Sequence, residues 1–486
     1  MTASAARRST SRANPTSASV DLSAFIERAA QRFPGKTALH FEGKDLSYSD
    51  FWLLIKDESE KLSVGKGDRV AYLGFNDPRM LVLLFALARR GAILVPLNWR
   101  LTAAEHKEIL ADCRPHRLIV GEEFQLRKAD LAWQDSEGSK EAPGGREEDD
   151  VLIVYTSGTT GRPKGAVLTQ SALVHNALNS FYAHDLAPED HVLTALPMFH
   201  VGGLNIQTLP ALFMGASVTL HKRFDPGRWL ADVQARRPTL SLLVPATMAA
   251  VIAHPDWAKT DLSSLRLLNT GSMVVPGSLI RAFHERGVPV GQVYGATETA
   301  PIAIVLKRED ALRKAGSAGK PAPHCEAKLV DGEIWVRGPA VMRGYWDNAG
   351  ARAGGLDADG WFRSGDLGRI DEEGYWWVVG RSKDLIISGG ENVHPAELEN
   401  VLADSPAIAE AVVLGVPDPK WGEVACAVVV LKKDSKLEEK QVLGLFENRL
   451  ARYKHPKRVV FLDELPKNAM GKVQRPELRR LVSPGG

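Results

Sequence analysis

Residues 151–165 read Val-Leu-Ile-Val-Tyr-Thr-Ser-Gly-Thr-Thr-Gly-Arg-Pro-Lys-Gly, an apolar run followed by a loop of small, hydroxylated and basic residues. The apolar run is typical of a buried strand. The glycines in the loop permit backbone conformations that other residues avoid, so successive N–H groups can converge on phosphate oxygens. Hydroxyl groups and a lysine add hydrogen-bond donors and positive charge. The stretch therefore predicts a phosphate-binding loop. Its predicted contacts are Thr156, Ser157, Gly158, Thr159, Thr160, Gly161 and Lys164.

A mobile loop rich in glycine and threonine is the alternative interpretation of the same residues. The position of the loop directly after a buried strand favours phosphate binding over that alternative. The loop is not the P-loop of kinases and GTPases, because the Gly-x-x-x-x-Gly-Lys-Ser/Thr spacing does not occur in it.

The composition is that of an ordinary globular protein, long enough at 486 residues for two or three packed units. The formal net charge of +2, from 61 basic and 59 acidic residues, argues against nucleic acid as the main partner.

The apolar stretch 80–97 is interrupted by Arg89 and Arg90, which predicts a buried helix followed by a strand and no transmembrane segment. Three widely spaced cysteines predict neither a disulfide framework nor a metal site and fit the reducing cytoplasm.

The order of apolar runs and amphipathic segments predicts an α/β fold with two domains. Residues 1–20 are rich in Ser, Ala and Arg, and they are predicted to form a disordered tail, although a transit peptide has a similar composition. Residues 21–382 are predicted to form a large multi-layer N-terminal domain. The pattern changes after the short polar junction 380–384, so residues 383–486 are predicted to form a small mobile α+β domain.

Four later segments extend the pattern of the loop. They are Tyr294-Gly295-Ala296-Thr297-Glu298, the stretch 360–366 (Gly-Trp-Phe-Arg-Ser-Gly-Asp), the stretch 380–391, and the stretch 466–472 (Pro-Lys-Asn-Ala-Met-Gly-Lys). Together with the loop they resemble the ordered signatures of the adenylate-forming superfamily: acyl-CoA synthetases, adenylation domains of peptide synthetases, and firefly luciferase. The resemblance covers nearly the whole chain from residue 21. Within the acyl-CoA synthetase branch, residues 310–320 and 386–399 most resemble bacterial fatty acyl-CoA synthetases.

The resemblance implies a nucleotide site that holds ATP and Mg²⁺. Tyr294, Gly295 and Ala296 would lie against adenine, Thr297 would hold the α-phosphate, and Glu298 would bind the metal. The segment 294–298 also has a plainer interpretation, in which Tyr294 is a core residue and Glu298 is an ordinary surface glutamate.

The resemblance also assigns residues to the ribose site and to the lining of the adenine and acyl pockets. An ionised Asp366 can accept hydrogen bonds from both ribose hydroxyls, and Arg381 would reach the same sugar. Gly271 and Ser272 would line the adenine and acyl pockets. A turn aspartate and a surface salt bridge are the plainer alternatives for Asp366 and Arg381.

For catalysis, the resemblance implies that Lys472 stabilises charge on the α-phosphate during adenylation. Lys383 would be the hinge about which the small domain turns. Gly389 and Gly390 would then border the channel for the pantetheine arm of coenzyme A. Trp421, with Tyr453 and Lys457, matches positions that contact coenzyme A in some aryl-CoA ligases, and buried packing is the alternative for the two aromatic residues.

The segment 197–203 (Pro-Met-Phe-His-Val-Gly-Gly) resembles the border of the acyl site, with His200 near the substrate carboxylate as a gate or positioning residue. The further candidate pocket residues are uncharged, which favours an apolar or aromatic acid over a diacid. They are Asn205, Thr208, Ala300, Pro301 and Ile302.

The expected activity is that of an AMP-forming carboxylic acid:CoA ligase, which converts an acid and ATP to acyl-AMP and then to acyl-CoA. A fatty or other apolar acid is the expected substrate. An aryl-CoA ligase and an acyl-AMP ligase that loads a carrier protein are the alternatives within the family. A luciferase-like oxygenase and a nucleotide-binding regulator without turnover are more distant ones. The protein is expected to be a monomer or homodimer.

Overall fold

The computed structural model describes residues 21–139, 144–157, 163–346, 355–388, 391–467 and 473–482. The predicted N-terminal tail lies outside these ranges.

Nine of the described strands form one sheet, parallel at its centre and antiparallel at its edges. In spatial order they are β14 (Lys320–Pro321), β13 (Ile304–Leu306), β12 (Val290–Tyr294), β11 (Leu267–Gly271), β10 (Leu240–Leu242), β8 (His191–Thr194), β9 (Ser217–Leu220), β1 (Thr37–Phe41) and β2 (Lys44–Ser47). The carboxyl ends of β11 and β12 lie side by side, because these strands are parallel neighbours. In α/β folds, ligands bind beyond this edge of a sheet.

Six strands form a second sheet, which carries the predicted phosphate loop at one hairpin. They are β17 (Gly344–Tyr345), β7 (Pro163–Thr169), β6 (Asp150–Ser157), β4 (Ile93–Leu97), β3 (Arg69–Leu73) and β5 (Arg117–Val120). Strands β6 and β7 pair antiparallel on either side of residues 158–162.

Two smaller sheets follow along the chain. The first is antiparallel, with β15 (Glu326–Val330), β16 (Glu333–Arg337), β18 (Phe362–Ile370) and β19 (Trp376–Arg381). The second contains β21 (Glu391–Val393), β20 (Ile386–Ser388), β23 (Gly422–Leu431) and β22 (Ile408–Asp418), and β24 (Arg458–Phe461) pairs with β23.

The helices cover the faces of these sheets. They are α1 (Ser23–Arg32), α2 (Tyr48–Lys61), α3 (Pro78–Arg90), α4 (Ala103–Cys113), α5 (Gln125–Leu131), α6 (Gln170–His184), α7 (Val201–Asn205), α8 (Thr208–Met214), α9 (Pro226–Arg236), α10 (Pro245–Ile252), α11 (Gly277–His284), α12 (Pro395–Ala403), α13 (Glu439–Gly444) and α14 (Arg475–Val482).

Helix α3 shows how local sequence sets these boundaries. The Asp77 side chain accepts a hydrogen bond from the Arg79 N–H, Pro78 occupies the first turn, and Gly91 ends the helix with φ of 66°. Residues 80–88 are all buried, and β4 follows, as the sequence predicts for the stretch 80–97. None of the helices described here combines the length and apolar character needed to cross a membrane.

The small domain has a hydrophobic core of its own, on both faces of the sheet formed by β20–β24. Alternate residues of β22 and β23 point to opposite faces, so Val413 packs with Leu398 on one side and Leu414 packs with Leu478 on the other. Both clusters contain only residues beyond 385. The predicted fold class, a large layered α/β domain with a small α+β domain, is confirmed.

Candidate nucleotide and acyl site

The loop after β12 brings the predicted adenine and phosphate contacts to the carboxyl edge of the large sheet. Gly295 must be glycine there, because a Cβ at this position would overlap the carbonyl oxygen of Pro301. Gly271 at the end of β11 is equally tight against the carbonyl of Val293, its register partner on β12. Gly271 therefore lets the end of β11 lie close against β12, and Gly295 lets the loop after β12 fold back on itself. Next to Gly271, Ser272 is exposed and has φ of 71°.

Asp366 is the centre of a charged cluster that joins three segments. The Tyr294 hydroxyl donates to its Oδ2 at 3.0 Å, and the Arg381 Nε lies 2.7 Å from its Oδ1. Asp366 and Arg381 are register partners on β18 and β19, and Asp366 is only 8% exposed. Burial, reinforced by this carboxylate, raises the pKa of Tyr294 well above its ordinary value, so the phenol keeps its proton and remains a donor. A carboxylate accepts several hydrogen bonds at once, which is the chemistry that two ribose hydroxyls require.

Glu298 is linked to the phosphate loop through a residue that the sequence analysis missed. The Tyr345 hydroxyl donates to Glu298 Oε1 at 2.7 Å, and the Lys164 Nζ lies 5.3 Å from the centroid of the Tyr345 ring. Tyr345 is held there because β17 pairs with β7, which places it opposite Ala166. Glu298 Oε2 accepts from none of the residues that the structure describes. A half-buried carboxylate suits a hard cation that carries phosphate oxygens of its own.

Of the remaining adenine and phosphate candidates, Ala296 and Thr297 directly follow β12 and its Gly295. Ala296 is half-buried and Thr297 is 6% exposed in the short 3-10 turn Thr297–Thr299. On the hairpin, the Thr156 hydroxyl donates to the Lys164 carbonyl at 3.4 Å. The side chain of Ser157 and all of Gly158, Thr159, Thr160, Gly161, Gly389, Gly390 and Lys472 lie outside the described residues.

His200 is the N-cap of helix α7, and its hydrogen bond to the helix indicates which ring nitrogen carries the proton when the ring is neutral. Its Nδ1 accepts the Gly202 N–H at 3.0 Å, so in the neutral ring the proton is on Nε2. The segment before it is held by Asn76, a second residue that the sequence analysis missed. The Asn76 Nδ2 donates to the carbonyls of Leu196 and His221, and its Oδ1 accepts the Met198 N–H. An isolated asparagine after a strand carries no sequence signal for this role.

The acyl-pocket candidates meet through a buried asparagine on α6. The Asn176 Nδ2 donates to the Asn205 carbonyl at 2.7 Å, and its Oδ1 accepts the Ile302 N–H at 3.0 Å. Ala300 and Ile302 are buried beside this contact, and Pro301 lies between them. The Thr208 hydroxyl is already engaged, since it donates to the Gly203 carbonyl and pairs with another threonine hydroxyl. Gln207 and Thr208 border a small internal cavity beneath helix α7.

The hinge candidate Lys383 is exposed in a short 3-10 turn, Ser382–Asp384, between two anchored residues. On one side, Arg381 is paired with Asp366 of the large domain. On the other side, Asp384 lies 3.6 Å from the Arg475 Nε of the small domain. Arg475 also donates to Glu399 and to the Val413 carbonyl, which fixes Asp384 to the small domain.

The coenzyme A candidates lie on the surface of the small domain. Trp421 is 44% exposed and Tyr453 is 45% exposed, and the Lys457 side chain is also exposed. The alternative of buried packing for Trp421 and Tyr453 is therefore wrong. Exposed aromatic rings beside lysines can stack on a planar base.

The described residues thus bring together a hairpin that carries Thr156 and Lys164, a half-buried Glu298 and a buried Asp366, and a short exposed turn follows Arg381. Carboxylates together with hydroxyl and lysine donors are the groups that a metal-bound nucleotide requires.

Comparisons with known proteins agree. Residues 26–346 match the family model described as AMP-binding enzyme, and residues 397–472 match the AMP-binding enzyme C-terminal domain. The indoleacetate–CoA ligase of Aromatoleum aromaticum is 49% identical over 96% of this chain and 98% of its own. The feruloyl-CoA synthase of an Amycolatopsis species is 42% identical over 93% of this chain and 97% of its own.

Among solved structures, the o-succinylbenzoate CoA synthetase from Bacillus subtilis, in complex with its acyl-adenylate, superposes with a TM-score of 0.83. The two sequences are 33% identical, and the match covers 94% of this chain and 97% of the synthetase chain. The chain therefore belongs to the family of AMP-binding enzymes, in the branch of the CoA ligases.

Proposed function

We propose that the protein activates an aromatic carboxylic acid with ATP and transfers the acyl group to coenzyme A. The observation that carries this proposal is the 49% identity, over nearly the full length of both chains, to an indoleacetate–CoA ligase. The ferulate relative also acts on an aromatic acid, so the aryl alternative replaces the fatty acid that the sequence analysis expected. The uncharged residues around Asn205 and Ile302 suit a planar ring.

As a CoA ligase of this family, the protein uses ATP, Mg²⁺ and coenzyme A. The donor chemistry of the site fits the metal, because Glu298 offers carboxylate oxygen and the nucleotide phosphates supply further oxygens. When bound, Mg²⁺ neutralises charge on the phosphate chain.

In the proposed adenylation step, adenine lies against Tyr294 and the ribose hydroxyls donate to Asp366. Thr156, Lys164 and Thr297 hold the phosphate chain, so that a carboxylate oxygen of the acid can attack the α-phosphorus and displace pyrophosphate, which gives the acyl-AMP. Lys472 stabilises the negative charge that develops on the phosphoryl oxygens, which lowers the barrier because that charge is greatest in the transition state. His200, with its proton on Nε2, donates to a carboxylate oxygen of the acid and so orients it.

In the proposed second step, the thiol of coenzyme A attacks the acyl carbon and AMP leaves. The small domain turns about Lys383. This rotation removes Lys472 from the site and brings Gly389 and Gly390 to it. Trp421 then offers an exposed ring to the nucleotide end of coenzyme A. We place the reaction in the cytoplasm, where the unpaired cysteines Cys113, Cys325 and Cys426 stay reduced.

The test measures AMP release with purified protein, ATP and Mg²⁺ across aromatic, fatty and short-chain acids, with and without coenzyme A. We expect CoA-dependent AMP release and a CoA thioester with one or more aromatic acids, at a kcat/KM well above that for any fatty acid. Preference for a fatty acid would overturn the aromatic assignment. AMP release that requires a carrier protein in place of coenzyme A would overturn the assignment of the acceptor.

A further inference from the structure

Two histidine side chains from distant parts of the chain meet in the large domain. His175 lies on helix α6, and His324 lies in the turn between β14 and β15. Their Nδ1 atoms are 3.1 Å apart, and the centroids of the two rings are 5.0 Å apart. Both residues are partly exposed, so a small solute can reach the pair from solvent. Neither histidine belongs to the nucleotide or acyl site described above.

The framework around the pair fixes the distance between the two rings. Asn179 follows His175 by one turn on the same face of α6, and its Oδ1 accepts the backbone N–H of His324 at 2.9 Å. The Nδ2 of Asn179 donates to the carbonyl of Ile302 at 3.0 Å. Cys325, which follows His324, packs against the apolar cluster that contains Ile302. The helix and the turn are therefore tied together beside the two imidazoles, and the backbone holds the pair in place.

The separation of the two nitrogens is that of neighbouring ligands on one transition-metal ion. An imidazole nitrogen lies about 2.0–2.1 Å from Zn²⁺, so two nitrogens at a tetrahedral or octahedral angle are about 2.9–3.4 Å apart. A hydrogen bond between two neutral rings fits the same distance, with one Nδ1 as donor and the other as acceptor. When the donor ring moves its proton to Nε2, each Nδ1 has a lone pair for a shared cation, and no proton is released.

The donor atoms and the surrounding charge select the class of ion. Imidazole nitrogens suit Zn²⁺, Cu²⁺ and Ni²⁺, whereas Mg²⁺ prefers oxygen ligands. The carboxylate of Glu147 accepts from the Ser171 hydroxyl, one turn before His175, and adds negative charge near the pair. Within the part of the chain that the structure describes, no group of three or more histidine, cysteine or acidic side chains is arranged to hold a metal. Water would complete the coordination, so the ion would exchange with solvent.

We propose that His175 and His324 form a chelating site for a divalent transition-metal ion, represented by Zn²⁺. The site is separate from the proposed Mg²⁺ and nucleotide site and does not depend on which acid the protein activates. An ion bound there joins α6 directly to the turn before β15. Asn176 and Asn179 of the same helix hold the backbone N–H and carbonyl of Ile302, so the ion also restrains the loop that follows β12.

The test is a calorimetric titration of the untagged full-length protein with ZnCl2, after EDTA treatment and dialysis and without nucleotide. We expect Zn²⁺ to bind and to raise the melting temperature, because the ion binds the folded pair and stabilises it. Mg²⁺ should not compete for the site. His175→Gln and His324→Gln should each weaken the binding about tenfold or more, the scale of a disturbed metal site. The double variant should match the single variants, because one imidazole alone does not chelate.

His254→Gln is the matched control. His254 is another partly exposed histidine of the large domain, and its Nδ1 accepts the Asp256 N–H at 3.2 Å. The change removes one imidazole and leaves the pair intact, so the affinity for Zn²⁺ should stay at the wild-type value. In the absence of metal, His175→Gln and His324→Gln should melt close to the wild-type temperature, which shows that they fold.

Any of three results would overturn the proposal. They are a wild-type protein that does not bind Zn²⁺, single variants of the pair that keep the wild-type affinity, and a His254→Gln variant that loses affinity as much as they do. Should the variants of the pair misfold, the electron paramagnetic resonance spectrum of the Cu²⁺-loaded wild-type protein decides the question. Hyperfine splitting from two nitrogen ligands is expected, and a spectrum without it would also exclude the site.

Discussion

At the scale of single residues, the proposed nucleotide site depends on carboxylates that other side chains hold in place. Asp366 accepts from Tyr294 and from Arg381, and Glu298 accepts from Tyr345. These partners orient each carboxylate before nucleotide binds, so binding does not have to order them.

Replacing Asp366 with Ala should raise the KM for ATP about tenfold or more. The change removes the acceptor for the ribose and leaves the Tyr294 hydroxyl and the Arg381 guanidinium without their partner. The measurement is the ATP dependence of pyrophosphate exchange with a saturating acid. Asp359→Ala, at an exposed carboxylate in the preceding turn, is the control and should leave the KM unchanged. An Asp366→Ala variant with the wild-type KM would contradict the placement of the ribose.

At the scale of elements, the junction between the domains is a short segment between two anchored ends. Arg381 ends β19 and is paired within the large domain, and Asp384 is paired with Arg475 at the start of α14. Only Ser382 and Lys383 lie between these anchors, and both are exposed. A change in domain orientation therefore concentrates in the φ and ψ angles of two residues.

The Lys383→Pro variant should release pyrophosphate normally and fail to form the thioester, because proline fixes φ at the position that must rotate. The two half-reactions are measured separately, as pyrophosphate exchange and as thioester formation from supplied acyl-AMP.

Lys472→Ala is the reciprocal control for Lys383→Pro. It should slow adenylation about a hundredfold, and thioester formation from supplied acyl-AMP should survive. Lys467→Ala changes a lysine of the same segment that pairs with Glu410, and it should affect neither step. Full thioester formation by Lys383→Pro would rule out rotation at this residue.

At the scale of the whole molecule, the fold removes several imidazole rings wholly or partly from water. Burial lowers the pKa of histidines in both domains: His106, His116, His175, His184, His191, His284 and His394. For His184, which is 1% exposed on α6, burial lowers the pKa to about 4. The unfolded chain, with a histidine pKa of about 6.5, binds protons more readily than the native state.

The stability that these neutral histidines contribute should therefore be fully present above about pH 6.5, and the free energy of unfolding should fall as the pH drops from there toward 4. Each such histidine lowers it by up to about 1.4 kcal/mol per pH unit within its window, because the unfolded state takes up the proton first. Urea unfolding at pH 7.5, 6 and 5 measures this slope. A His184→Gln variant should show a shallower slope than the wild-type protein. An unchanged slope in this variant would show that His184 is not buried in its neutral form.

Local sequence was sufficient to predict much of the fold, including the elements around the proposed nucleotide site. The strand Asp150–Ser157, the buried helix after Asp77 and the polar junction before Lys383 are set by neighbours along the chain. Each is specified by apolar spacing, caps or glycines within a few positions of one another, so the sequence alone determines these elements.

The pairings that make the site specific were decided only by the tertiary structure. Tyr294 meets Asp366, Tyr345 meets Glu298, and Asn76 fixes the segment before His200, all across long intervals of sequence. Strand register and sheet order bring these residues together, and a single sequence does not contain the register.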